Sequence, residues 1–374
     1  MIYLDHNSTT PVHLEVKHLI FDLMGQALNP SSIHTSGRAG RKIIESARSQ
    51  VAEAAGINTN NTEYQIIFTA SGTEANNLMI SNFKDADIFI SAIEHASILA
   101  QAIHFPNIKV IRVDSNGIVD LEELKLLLSQ STRNRKLVSV MQANNETGVL
   151  QPIEEIVKIA HSLNAFVHSD CVQSLGKINL NIQELGIDFA TISAHKFGGP
   201  IGAAALIARS NYPLKPIIIG GGQEKGIRSG TENVPAIAGF GLAAQIAANE
   251  LESRKQNMSS LQARLENNLV TEFPDVTIVA RNTPRLPNTS LIIMPGVDIE
   301  TQLIAFDLKG IQVSSGSACY SGKIGKSKVL KAMELEEDKI NSAIRVSIGY
   351  EQTPEDIDNF IKAFAEIYRI RKAA

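Results

Sequence analysis

Between residues 64 and 206, short apolar runs alternate with stretches of helical periodicity, and that alternation restricts the chain to few architectures. The runs fall at Tyr64 to Phe68, Asp87 to Ser91, Leu137 to Met141, Ala165 to His168 and Asp188 to Ile192, with helical patterns such as Leu121 to Leu128 between them. Each run has strand length, and polar turn formers bound it. The series predicts an α/β fold with a mostly parallel sheet covered by helices on both faces. Such sheets place their chemistry at the carboxyl ends of the strands. After a long helix predicted from Val234 to about Asn267, the pattern changes to short strands at Val276 to Val279 and Ser290 to Met294, mixed with helices. A chain of 374 residues exceeds one ordinary core. The expected division is a large domain over 15–255 and a smaller α+β domain over 1–14 and 256–374.

Two strand ends carry reactive groups. The stretch Thr191 to Gly199 passes from apolar residues into Ser193, His195, Lys196 and paired glycines. A lysine at a strand end, if buried, has a lowered pKa and a lone pair free to form a Schiff base with a carbonyl cofactor; a lysine leaving the strand for water gives the same local pattern. Asp170 ends the preceding run, so the aspartate and Lys196 fall on different strands at one edge. Earlier, Ser71 and Glu74 have capping-box spacing after the strand 64–68, and the helix they open offers unpaired N–H groups that suit a phosphate. The run Gly220 to Gly222 invites a dinucleotide reading, but neither an obvious helix nor a ribose-binding acid follows it.

Two cysteines occur, Cys171 and Cys319, too few for a metal site. Cys171, beside Asp170, reads as a small buried residue. Cys319 lies among Ser, Gly and Tyr320, with Gly316, Gly322 and Gly325 around it, a setting unlike that of a structural cysteine. A free thiol with pKa near 8.5 is only about 3% thiolate at pH 7, so catalysis there needs a proton acceptor or a positive environment. Arg345 stands in an apolar strand, Ile344 to Ser347, and its planar fork fits a carboxylate. Net charge is −4, with no block of like charges to attract nucleic acid or a membrane surface. No secretory signal and no membrane-length apolar run is visible, so a cytoplasmic protein is expected.

Asp170, the Ser-x-His-Lys of 193 to 196, and Cys319 in Ser-Ser-Gly-Ser-Ala-Cys together resemble the cysteine desulfurases of the NifS/IscS type, long-loop class. These are pyridoxal-phosphate (PLP) enzymes of the aspartate-aminotransferase fold, PLP-dependent transferase fold type I. The resemblance runs from Tyr3-Leu4-Asp5 to about Ile357. It implies that Lys196 holds PLP, that Asp170 pairs with the pyridine nitrogen, and that His95 stacks on the ring. It implies that Gly72 and Thr73 grip the phosphate, while Gln173, Ser193 and His195 contact ring and phosphate. Asn145 would bond the ring hydroxyl and approach the substrate carboxylate, which Arg345 binds. Thr231, in Arg228-Ser229-Gly230-Thr231, would reach the phosphate of a neighbouring subunit, making a homodimer with shared sites. The implied reaction converts L-cysteine to L-alanine through a quinonoid and leaves a persulfide on Cys319. A sulfur-acceptor protein in iron–sulfur cluster or thio-nucleoside synthesis would follow. A selenocysteine lyase or another PLP lyase of the same fold, and a non-catalytic partner-binding scaffold, are the alternatives.

The chain also departs from the family's pattern. The loop after Cys319 is basic and lacks the usual acid-proline pair; Ile201 stands where lysine is usual, and Tyr350 where arginine is usual. The C-terminal tail used to dock a scaffold protein is shorter here. These departures bear on partner identity more than on chemistry.

Overall fold

A computed structural model of the chain describes residues 1–60, 63–316 and 326–373. Its centre is a seven-stranded sheet in the order Tyr64–Thr69, Ala204–Arg209, Phe189–Ser193, Phe166–Asp170, Lys136–Ser139, Asp87–Ser91, Ile108–Ile111. Only Ala204–Arg209 runs against the rest, pairing antiparallel with both of its neighbours. The parallel strands read as unbroken apolar runs because both of their faces are covered. Ile66 and Phe68 point into one core cluster with the helices Thr35–Ala54 and Val234–Asn249, while Ile67 points into another with Leu78 and Met79 of the helix Gly72–Ser81. The expected sheet with helices on both faces is therefore present.

The strands 64–68, 87–91 and 188–192 form within a residue or two of their expected bounds. The long helix does not. It is two helices, Val234–Asn249 and Leu251–Glu272, broken at Glu250 (φ −98°, ψ 7°). No proline or glycine marks the break; composition changes there instead, from an alanine-rich segment buried nearly all round to a charged one half open to water. The second helix packs on Pro354–Ala373 around a separate core that contains Leu4, Leu265, Phe306 and Phe360. A three-stranded antiparallel sheet, Ala343–Ser347, Thr289–Ile293 and Thr277–Ile278, belongs to this part, as does the parallel pair Ile2–Tyr3 with Ile311–Gln312. No helix among the described residues is long and apolar enough to cross a membrane.

Candidate active site

The carboxyl ends of the central strands open into a cavity of about 340 Å³. Lys196, Asp170, Ser193, Gln173, His95 and His195 line it, and so do Gly72, Thr73, Asn145 and Arg345. Of the residues singled out in the sequence, Thr231 does not line the cavity; it is exposed on a separate loop. Cys319 lies outside the described residues, as does the basic loop after it up to residue 325; the loop's last residue, Lys326, pairs with Glu337.

Each group reaches the cavity for a local reason. The strand Phe189–Ser193 ends in a single 3-10 turn, Ala194–Lys196, and Gly198 (φ +99°) then turns the chain away, a conformation that favours glycine. Lys196 Nζ donates to the carbonyl oxygens of Asn7 (2.6 Å) and Ser8 (2.8 Å). Asp170 is the last residue of its strand and 5% exposed. Its Oδ2 accepts from Asn76 Nδ2 (2.8 Å) and its Oδ1 from the Val172 N–H (3.0 Å). Charge-assisted bonds of this kind hold a carboxylate in one orientation.

The helix Gly72–Ser81 is capped as its sequence predicts, with Ser71 Oγ accepting from the Glu74 N–H (3.1 Å). Its first N–H groups and positive dipole end face the cavity at Gly72 and Thr73. His95 Nδ1 accepts from the Ser97 N–H (3.1 Å), which assigns the ring proton to Nε2. Burial, then the positive Lys196 and Lys177, push His195 down to about 4, so its ring is neutral at pH 7. In the loop after Lys136–Ser139 the turn is made by Asn144, whose Oδ1 accepts from the N–H groups of Glu146 and Thr147, both at 2.9 Å; Asn145 is thereby left to face the cavity.

Arg345 is 2% exposed. Its Nη2 donates to Asp5 Oδ1 (2.5 Å) and Ser8 Oγ (2.8 Å), and its Nη1 to the Asn145 carbonyl (2.9 Å). Its Nη1 also donates to the Gly316 carbonyl (3.5 Å), and its Nε is buried without an acceptor among the described residues. An amine, a carboxylate fixed by two donors, a helix N-terminus and a guanidinium with one unused N–H thus surround one space. This donor set fits PLP with an amino-acid substrate: phosphate at the helix, pyridine nitrogen at Asp170, carbonyl carbon at Lys196, substrate carboxylate at Arg345.

Sequence reasoning gave no individual role to several residues that build this site. Asn7 and Ser8 lie in the polar turn Asp5 to Pro11, whose composition is that of any turn and which the family resemblance places only loosely at the wall of the site. Asn76 sits inside a helix, and Lys177 follows Gln173 by four residues; an acid-pairing or capping signal accompanies neither. Cys171 is buried as expected, and burial raises its thiol to about 12. Tyr350 places its ring 3.8 Å from the Arg254 guanidinium carbon, and Ile201 is exposed. After Gly220–Gly222 comes only a 3-10 turn, Gln223–Gly226, so the dinucleotide reading falls.

Comparison with known proteins extends over nearly the whole chain. The profile of the aminotransferase class-V family matches residues 2–360. A cysteine desulfurase IscS of Dictyoglomus turgidum is 37% identical over 96% of this chain and 92% of its own length. One of Archaeoglobus fulgidus, cysteine desulfurase IscS 1, is 36% identical over 97% and 95%. The crystal structure of a NifS-like protein from Rickettsia africae superposes with a TM-score of 0.94 at 52% identity, covering 99% of each chain. The chain belongs to the aminotransferase class-V family and, within it, to the NifS/IscS-like cysteine desulfurases.

Proposed function

We propose that the protein is a PLP-dependent cysteine desulfurase that takes sulfur from L-cysteine, releases L-alanine and passes the sulfur to an acceptor protein. The convergence of Lys196, Asp170, His95 and Arg345 on one cavity is the observation that carries this reading. PLP, when bound, supplies an electron sink that makes the substrate's carbon–sulfur bond breakable. Lys196 covalently holds the cofactor and then moves the substrate's α-proton, with the Asn7 and Ser8 carbonyls aiming its Nζ. Asp170 keeps the pyridine nitrogen protonated, and Gly72 and Thr73 hold the phosphate. His95 would stack on the ring, its Nε2 carrying the proton it can shuttle; Ser193, His195 and Gln173 would complete the cofactor contacts. Asn145 and Arg345 receive the substrate carboxylate.

The Cys319 thiolate attacks the substrate sulfur, and the carbon–sulfur bonding pair stays with the substrate carbon. Cysteine plus the Cys319 thiol thus become alanine plus a Cys319 persulfide, with no external oxidant. The acceptor belongs to iron–sulfur cluster assembly or thio-nucleoside synthesis. The relatives' names support this reading over a selenocysteine lyase or another PLP lyase, and over a non-catalytic scaffold. The protein acts in the cytoplasm as a homodimer in which Thr231 completes the neighbour's phosphate site. Exposed Phe21 and Met24 on the helix Leu14–Met24, and Ile219 near the Thr231 loop, support such an interface. The two separate cores, one reaching Ala247 and one starting from Leu4 and Leu261, support domains of 15–255 and of 1–14 with 256–374.

The test is mass spectrometry of PLP-loaded protein after brief exposure to L-cysteine, with alanine assayed in the same tube. A one-sulfur increment on the Cys319 peptide, matched by alanine, is expected. Replacing Cys319→Ala should keep the cofactor colour and abolish turnover; full sulfide release by that variant would sink the proposal.

A further inference from the structure

Lys177 is a buried lysine, 4% exposed, to which the reaction above assigns no part. Its Nζ donates to Gln173 Oε1 (2.6 Å) and Asn7 Oδ1 (2.9 Å), and neither acceptor is a carboxylate. Among the described residues, the charged groups that bear on it, Lys196 and Arg345, are both positive; it acts in turn on His6 and His195. Burial, then these two cations, hold it well below the ordinary lysine range. Burying a lysine without a counter-ion is costly, so the site gains something else from it.

What Lys177 supplies is direction. An amide has a donor end and an acceptor end, and which one faces the cavity is decided by its neighbours. Gln173 Oε1 faces Lys177, while Gln173 Nε2 donates to the Asn7 carbonyl (3.0 Å). One Nε2 hydrogen is used there, and the second is left for the cavity that Gln173 lines. Asn7 is fixed the same way: Oδ1 accepts from Lys177 and from Asn288 Nδ2 (3.1 Å), and Nδ2 donates to Thr289 Oγ1 (2.9 Å).

We propose that Lys177 is a positioning residue: by holding Gln173 Oε1 and Asn7 Oδ1 it turns the Gln173 amide so that an N–H donor faces the ring hydroxyl of the cofactor, as a second donor beside Asn145. This inference rests on the PLP reading above. A donor at that oxygen stabilises its anionic form, which lowers the pH at which the visible band of the bound cofactor titrates.

The experiment is a spectrophotometric pH titration of the PLP-loaded wild type, Lys177→Met, Lys177→Gln, Gln173→Ala, and the Lys177→Met/Gln173→Ala double variant. Lys177→Met, close in volume but without a donor, should raise the midpoint by about one pH unit. Lys177→Gln, whose amide still donates, should titrate as wild type does. In the Gln173→Ala background Lys177→Met should add nothing. The inference is overturned if Lys177→Met leaves the midpoint unchanged. It is also overturned if Lys177→Gln moves as far as Lys177→Met, or if the two single shifts add, because the lysine would then act by charge rather than through Gln173. Should Lys177→Met not fold, a wild-type midpoint in Lys177→Gln beside a raised one in Gln173→Ala supports the inference, and a raised midpoint in Lys177→Gln overturns it. A wild type that shows no visible band with PLP removes the cofactor reading itself, a separate result.

Discussion

Asn76 offers the sharpest test of how the site is held. It lies in the helix Gly72–Ser81, is 1% exposed, and donates from Nδ2 to both Asp170 Oδ2 (2.8 Å) and Ser97 Oγ (2.9 Å). The Ser97 hydroxyl in turn lies 2.7 Å from His95 Nδ1, so one amide orients the proposed pyridine partner and the proposed ring-stacking histidine together. Replacing Asn76→Ala removes a bond to a carboxylate, about 1.5–3 kcal/mol, and a neutral bond of about 1 kcal/mol. It also removes Asn76 Oδ1, which is buried with no partner among the described residues and whose desolvation costs about 1–3 kcal/mol. The relief offsets part of the loss, so the folded apo-protein should lose no more than about 3 kcal/mol. Asp170, left with one donor, should hold the cofactor about tenfold or more weakly. Titrating apo-protein with PLP by absorbance, next to a thermal melt without cofactor, separates the two effects. Asn76→Asp should be worse, since two carboxylates at this distance do not both ionise readily. A folded Asn76→Ala with unchanged cofactor affinity and unchanged turnover would refute the reasoning.

Three further outcomes follow from the same geometry. Arg345→Lys keeps the charge but loses the fork that reaches Asp5, Ser8 and the Asn145 carbonyl at once, so KM for cysteine should rise roughly 10- to 100-fold with cofactor retained; an unchanged KM counts against carboxylate binding there. Burial holds His168 down to about 4, so the unfolded chain binds more protons than the folded one between the ordinary histidine value near 6.5 and 4. Its contribution, on the order of 3 kcal/mol, is whole above that window and lost as pH falls through it; urea melts of His168→Gln should show a flatter acid limb than wild type. Glu94 has the opposite sign: burial raises it to about 8, its Oε1 accepts from Ser91 Oγ (2.5 Å) and the Met141 N–H (2.7 Å), and its Oε2 has no partner among the described residues. The unfolded carboxyl ionises from about 4.5 upward, so stability falls as pH rises to about 8, and Glu94→Gln should remove that slope; a persistent slope would assign it elsewhere.

What the sequence made legible was local. Asp170 and Lys196 could be placed at one edge because each ends an apolar run, and two parallel strands of similar length bring their ends together. The helix at Gly72 was legible because a serine and a glutamate three residues apart cap a helix wherever they occur. The break at Glu250 was hidden because most residues on either side favour helix, Asn249 being too weak a signal alone, and the chain bends there for a tertiary reason, the passage from one core to the other. Arg345 could be recognised by its residue type in an apolar strand, but not its pairing with Asp5, 340 residues away.

That distance is the general reason the rest was hidden, and residues 5 to 10 make the point. Leu4 is buried in the core of the C-terminal part, and Asp5 bridges to Ser347, so the segment is rooted there. Yet the carbonyls of Asn7 and Ser8 hold Lys196 Nζ, and Thr10 bonds the carbonyls of His195 and Lys196 through its N–H and hydroxyl. Asn7 also donates to the Asn145 carbonyl and accepts from Gln173. The segment is therefore the physical link between the reactive strand of the large sheet and the strand that carries Arg345. Any displacement of one part against the other must move the oxygens that aim Lys196, or break their bonds. The distance between amine and guanidinium, the groups proposed to hold the cofactor and the substrate carboxylate, is thus set by six residues whose composition reads as an ordinary turn.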